Sequence, residues 1–113
     1  MTDYIPITAW HEDDRPRERL VKLGAENLSD AELLAILIKT GVQGRSAVDL
    51  ARQLLDAHKG LEAVARAGIA EITAVKGIGK AKTVTIKAAA EIGRRIANRP
   101  LSGLVNFARP AAV

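Results

Sequence analysis

A chain of 113 residues with no cysteine has the length of one domain, and it excludes disulfide stapling and cysteine-bound zinc. Its N-terminus lacks the basic start and apolar run of a secretory signal, and no apolar run approaches the roughly eighteen residues of a membrane span, so a soluble cytoplasmic protein with no membrane partner is expected. The formal charge of +4 is unevenly spread: residues 1–45 carry six basic and eight acidic side chains, 46–75 three and four, and 76–113 eight and one, which points the last third towards a polyanion.

Residues 1–14 hold Pro6, the β-branched Ile5, Ile7 and Thr8, and the acidic run Glu12 to Asp14 without helical period, and read as an extended arm. Pro16 sits where a first helical turn tolerates it, and a short helix follows over Arg17 to Leu23, stopped by Gly24, with Leu20 and Leu23 available to a core. Ser29-Asp30-Ala31-Glu32 has the form of a capping box and opens a helix running through Lys39. Leu33, Leu34, Ile36, Leu37 and Ile38 make that helix apolar on most sides, hence central, and Gly41 is expected to end it. Ser46 caps the next helix with Asp49 at the third position, Leu50, Leu54 and Leu55 face inward, and Gly60 closes it. Short helices over Leu61 to Ala67, ending at Gly68, and Ala70 to Val75 lead to Gly77-Ile78-Gly79. A long helix then runs from Lys80 to about Asn98, where Pro100 stops it, and residues 100–113 read as a linker or tail. The fold class implied is all-α, a bundle of about five to six helices over residues 15–99.

Residues 33–55 and 70–92 share one plan of short helix, glycine turn and second helix, with Gly41 and Gly44 pairing with Gly77 and Gly79 if the first copy carries one extra residue. Two such units joined by the helix at Leu61 to Ala67 would form a tandem helix-hairpin-helix domain. The sharper copy is Val75 to Thr83, VKGIGKAKT. Two glycines let backbone approach an anion closely, Ile78 between them should plug into the domain, and the unpaired amides at the start of the Lys80 helix supply a phosphate site. Lys76, Lys80 and Lys82 bracket it. At about 100° per residue, Lys80, Lys87, Glu91, Arg94 and Arg95 fall within about 100° of arc, a basic stripe with a single acid.

These residues support DNA binding through backbone phosphates, duplex or branched, at Lys76, Gly77, Ile78, Gly79, Lys80, Lys82, Lys87, Arg94 and Arg95, with Gly41, Gly44 and Arg45 as a second, weaker hairpin. Base stacking is not expected, because Tyr4, Trp10 and Phe107 all lie near the ends. A Walker loop fails on the spacing before lysine. A dinucleotide fingerprint fails too, since Lys82 stands where its third glycine belongs.

The blocks Arg15 to Leu20, Leu28 to Leu37, Lys39-Thr40-Gly41 and Val75 to Lys82 resemble the N-terminal domain of the RadC family (UPF0758). That resemblance, over roughly residues 4 to 99, implies a bacterial protein similar to the tandem helix-hairpin-helix domain of RuvA, with a role historically labelled DNA repair. Full-length members of the family continue into a JAMM-type metallopeptidase-like domain whose H-x-H, serine and aspartate zinc signature this chain lacks, so none of its catalytic residues carries over. The reading is therefore of a binding domain and not an enzyme, with no cofactor and no metal. The alternative is a protein-interaction or positioning module for such a C-terminal domain.

His11 and His58 have no second histidine at metal spacing and read as surface residues, as does the acidic cluster Glu12, Asp13 and Asp14. No acid follows Arg99, which removes the catalytic aspartate that a glycosylase of the helix-hairpin-helix class would need. Lys82 reads as a lysine snorkelling at the hairpin and Trp10 as an anchor of the arm.

Overall fold

The computed structural model describes residues 15–99. The arm expected over 1–14, with Trp10, His11 and the acidic cluster, and the tail expected over 100–113 lie outside the described residues. Among those described, the chain is helical with no named strand: α1 (Pro16–Leu23), a 3-10 turn (Ala25–Asn27), α2 (Asp30–Ile38), α3 (Ala47–His58), α4 (Leu61–Arg66), α5 (Ile69–Thr73) and α6 (Lys80–Ala97).

The helix starts follow local chemistry. At α2 the Ser29 hydroxyl accepts from the Glu32 amide at 3.1 Å, while the Glu32 carboxylate accepts from the Ser29 amide at 2.9 Å. Ser46 and Asp49 repeat the exchange at α3, with distances of 3.1 and 3.0 Å. Each box satisfies two amides that the first turn leaves without intrahelical partners. Glu32 also takes the Arg19 Nε at 2.6 Å, which ties α1 to α2. Its pKa is lowered, first by the Ser29 amide and further by Arg19 against the opposing effect of burial.

Packing centres on α2 and α3. Leu34, Ala35 and Ile38 of α2 meet Leu50, Ala51 and Leu54 of α3, and Val64, Ile72, Ile78 and Ile86 bring α4, α5, the second glycine turn and α6 onto the same core. Each large aliphatic side chain fully buried there contributes about 1.5–3 kcal/mol. No described helix is long and apolar enough to cross a membrane.

Two local expectations are corrected and one element is added. Leu23 is exposed, and the residue of α1 that is buried is Pro16. The 3-10 turn at Ala25–Asn27 has no counterpart in the pattern reading. Gly41 does not stop α2: Lys39 turns the chain with φ +73, and Gly41 serves a different purpose.

Candidate functional site

Between α2 and α3 the chain makes a tight turn in which Val42 and Arg45 exchange both backbone hydrogen bonds at 2.9 Å, with Gly44 at φ +88. A Cβ on Gly41 would lie 2.2 Å from the Arg45 carbonyl oxygen and 2.7 Å from the Ser46 Cα, so this glycine lets the returning backbone pass against it. Arg45 is half-buried, and its Nη1 donates to Gln53 of α3.

The turn between α5 and α6 packs directly against this first one. Gly77 takes φ +97, and a Cβ there would meet Leu50 Cδ2 at 2.7 Å, Arg45 Nη2 at 3.1 Å and Val42 Cγ2 at 3.4 Å. The Ile78 amide donates to the Val75 carbonyl at 3.0 Å and its side chain is buried in the core, leaving no side-chain atom to reach a ligand. A pair of threonines absent from the sequence reading locks the turn. The fully buried Thr83 hydroxyl donates to the Gly79 carbonyl at 2.9 Å and lies 3.0 Å from the Thr73 hydroxyl, which donates to the Ile69 carbonyl at 2.7 Å. The signal for it is a threonine four residues after the cap, where a hydroxyl can bond the carbonyl one turn back.

Gly79, the N-cap of α6, differs from Gly77. Its φ of −83 suits any residue, and a Cβ on it would meet nothing within 4 Å. Nothing within the described fold requires glycine there. The start of α6 also has no side-chain cap and no acidic residue in its first turn, whereas α2 and α3 have full boxes and the Gly68 amide at α5 donates to the Glu71 carboxylate at 2.7 Å. The amides of Lys80, Ala81 and Lys82 thus begin a helix of eighteen residues with no intrahelical acceptor. Lys76 and Lys80 are exposed beside them and Lys82 is half-buried.

The rest of the expected stripe is spoken for. Lys87 Nζ donates to the Ala65 and Ala67 carbonyls at 3.0 and 2.7 Å, closing the C-terminal end of α4. Arg94 and Arg95 both clasp Glu91, with ion-pair distances of 2.7 and 2.9 Å. Arg94 also lies fifteen residues past Gly79, roughly 22 Å along the helix, out of reach of a phosphate at the turn.

That clasp has a measurable consequence. Hydrogen bonds first from Arg94 and then from Arg95 hold the Glu91 carboxyl at about 2, well below the ordinary carboxylate value. A depressed folded pKa means that any stability the clasp supplies is present above the ordinary carboxylate range and is lost as pH falls towards 2. An NMR titration is expected to place the Glu91 midpoint about two units below an ordinary glutamate, and the midpoint should rise in high salt because all three groups are solvent-accessible. A midpoint at the ordinary value in low salt would show that the clasp does not persist in solution.

Among the described residues, no three histidine or acidic side chains converge as a metal site. Compared with known proteins, residues 7–84 match the family described as UPF0758 N-terminal. A UPF0758 protein of Trichlorobacter lovleyi is 48% identical over 110 residues, covering 95% of this chain and 48% of the relative. One from Geobacter sulfurreducens is 55% identical over 92 residues, covering 80% and 40% respectively. A third, from Psychrobacter arcticus, is 53% identical over 89 residues, covering 79% and 39%. The chain thus spans about half the length, or less, of these curated relatives. No solved structure gives a significant match.

Proposed function

The chain belongs to the UPF0758 family, and from that premise we propose that it is a tandem helix-hairpin-helix domain that binds DNA through backbone phosphates, as a binding module and not an enzyme. The observation that carries this reading is the start of α6, which among the three longest helices described is the one left without a carboxylate or a side-chain cap. A phosphate oxygen there accepts from the free amides, the helix dipole contributes about 0.3–1 kcal/mol, and Lys76, Lys80 and Lys82 add mobile charge. Gly79 fits the same account, since a glycine with no internal purpose leaves the approach to those amides open.

The contact set is narrower than the stripe suggested. The proposal leaves Lys87 out of the contact set, because leaving its two carbonyls would uncap α4. Ile78 acts as the plug that aims the turn, and Gly77 as the residue that lets Arg45 and Leu50 support it. Arg94 and Arg95 can serve only a separate stretch of backbone, and only by loosening Glu91. Arg45, braced by Gln53 against the second turn, belongs to the support of the site as much as to any second contact. The described residues contain no Phe, Tyr or Trp for a base to stack on, and the contacts invoked are all to backbone phosphate, so affinity should depend little on sequence.

Titration with duplex and branched DNA at several salt concentrations tests the reading. Dissociation constants of about 10⁻⁴ to 10⁻⁶ M near physiological salt are expected, with log affinity falling by about 0.9 per phosphate for each decade of salt. Gly79→Val should weaken binding while leaving the helical circular dichroism unchanged. Absence of binding to either DNA at low salt would refute the proposal.

A further inference from the structure

Among the described residues, the buried polar side chains are Ser46 and Thr83. Ser46 is accounted for by its box with Asp49. Thr83 is fully buried at a place where packing elsewhere takes an aliphatic residue: four positions past the cap stand Leu33 in α2, Leu50 in α3, Val64 in α4 and Ile72 in α5. Of these five helices, α6 alone carries a hydroxyl there. Valine has nearly the same shape and would bring no polar group into the core, where a hydroxyl costs free energy unless it is bonded. Packing therefore does not explain the threonine, and its hydrogen bonds are where an explanation lies.

The Gly79 carbonyl accepts twice from Thr83, from its amide at 3.0 Å and from its hydroxyl at 2.9 Å. The same hydroxyl lies 3.0 Å from that of Thr73, which ties it to α5. Two hydroxyl protons serve three contacts, and the exposed Thr73 can turn its own from the Ile69 carbonyl to Thr83, because water reaches the bond it leaves. The Gly79 carbonyl and the Lys80 amide belong to one rigid peptide plane and point in opposite directions. Fixing the carbonyl thus fixes the aim of the amide, and Lys80 carries the first of the unpaired amides of α6. Little else steadies this peptide, since a Cβ on Gly79 would meet nothing within 4 Å. We propose that Thr83 is a positioning residue of the phosphate site: from within the core, through the Gly79 carbonyl, it holds the Lys80 amide in the direction a phosphate oxygen needs. The inference rests on the phosphate reading of this turn. The first turn supplies the contrast, because there the Asp49 carboxylate orders the helix start from the surface and Leu50 stands in the place of Thr83.

The unmodified chain, Thr83→Val and Thr83→Ser, compared by duplex DNA titration and thermal unfolding, test it. Thr83→Val keeps the branched shape and loses the hydroxyl. It leaves no buried group unbonded, because the Gly79 carbonyl keeps the backbone amide of position 83 and Thr73 keeps the Ile69 carbonyl, so it should melt at or above the temperature of the unmodified chain. Its DNA affinity should fall roughly three- to tenfold, the worth of one neutral hydrogen bond, at an unchanged salt slope because no cation is removed. Thr83→Ser keeps the hydroxyl and loses a buried methyl group, so it should melt lower and yet bind as the unmodified chain does. A purely structural threonine predicts the reverse order, with affinity following stability. Equal affinity in Thr83→Val, or a loss shared by Thr83→Ser, would overturn the inference while leaving the phosphate reading in place. An unmodified chain that binds no DNA at low salt removes that reading, and the inference with it.

Discussion

Gly41→Ala is expected to destabilise the chain by about 3 kcal/mol, a large part of the roughly 5–15 kcal/mol by which such domains are stable. The methyl group would have to sit 2.2 Å from the Arg45 carbonyl oxygen and 2.7 Å from the Ser46 Cα, both backbone atoms that cannot swing aside. Moving them disturbs three things together: the Val42–Arg45 bridge, the Ser46–Asp49 box that starts α3, and the Arg45 guanidinium that braces Gly77. The comparison with neighbouring glycines isolates the cause. Gly44→Ala meets open space and should cost only the roughly 1–2 kcal/mol of a left-handed backbone, whereas Gly77→Ala adds to a similar strain a contact with the movable end of Leu50. Thermal unfolding should show a fall of roughly 10–25 °C for Gly41→Ala, the largest of the three. A melting temperature within a few degrees of the unmodified chain would mean that the two backbone segments do not lie in contact in solution.

The case of Gly41 separates the legible parts of the fold from the rest. The boxes at Ser29–Glu32 and Ser46–Asp49 are readable because cap and partner stand three residues apart, and both exchanges are present. The start of α6 at Lys80 and the burial of Ile78 follow from equally local patterns. Gly41 reads as a helix stop, the commonest reason for a glycine at that place, while its actual constraint comes from backbone returning four and five residues later. Lys39 adopts positive φ with no residue-type signal to announce it. Lys87 illustrates the same limit at longer range. A helical wheel places it correctly beside Glu91 and Arg94, but only the tertiary fold brings the carbonyls of Ala65 and Ala67 under its ammonium. Net charge along a helix counts cations, and it does not say which of them are already occupied.

Each turn carries a positive-φ glycine just before its closing amide, Gly44 before Arg45 and Gly77 before Ile78, and the helix that follows starts with opposite chemistry in the two. At α3 the Asp49 carboxylate holds the cap amide and fills the place an anion would take. At α6 the equivalent position is Lys82, and the place is open. Any phosphate grip of the kind proposed therefore belongs to the second turn, with the first as its buttress.

Lys82→Glu turns that difference into an experiment with two opposite signs. Position 82 is third in α6, so a glutamate there reaches back to the Gly79 amide as Glu71 reaches the Gly68 amide at 2.7 Å. Replacing a cation by an anion at a helix start should stabilise the fold by about 0.3–1 kcal/mol. The same carboxylate would occupy the amides that the phosphate needs and repel it. Loss of charge-assisted hydrogen bonds worth about 1.5–3 kcal/mol corresponds to a fall in DNA affinity of roughly 10- to 100-fold. Lys82→Met, which removes the charge without filling the site, should fall between the two, with the salt slope reduced by about one phosphate. Because the glutamate variant is expected to melt at or above the temperature of the unmodified chain, lost binding cannot be ascribed to unfolding. Undiminished DNA affinity in a stably folded Lys82→Glu chain would remove the start of α6 from the contact surface.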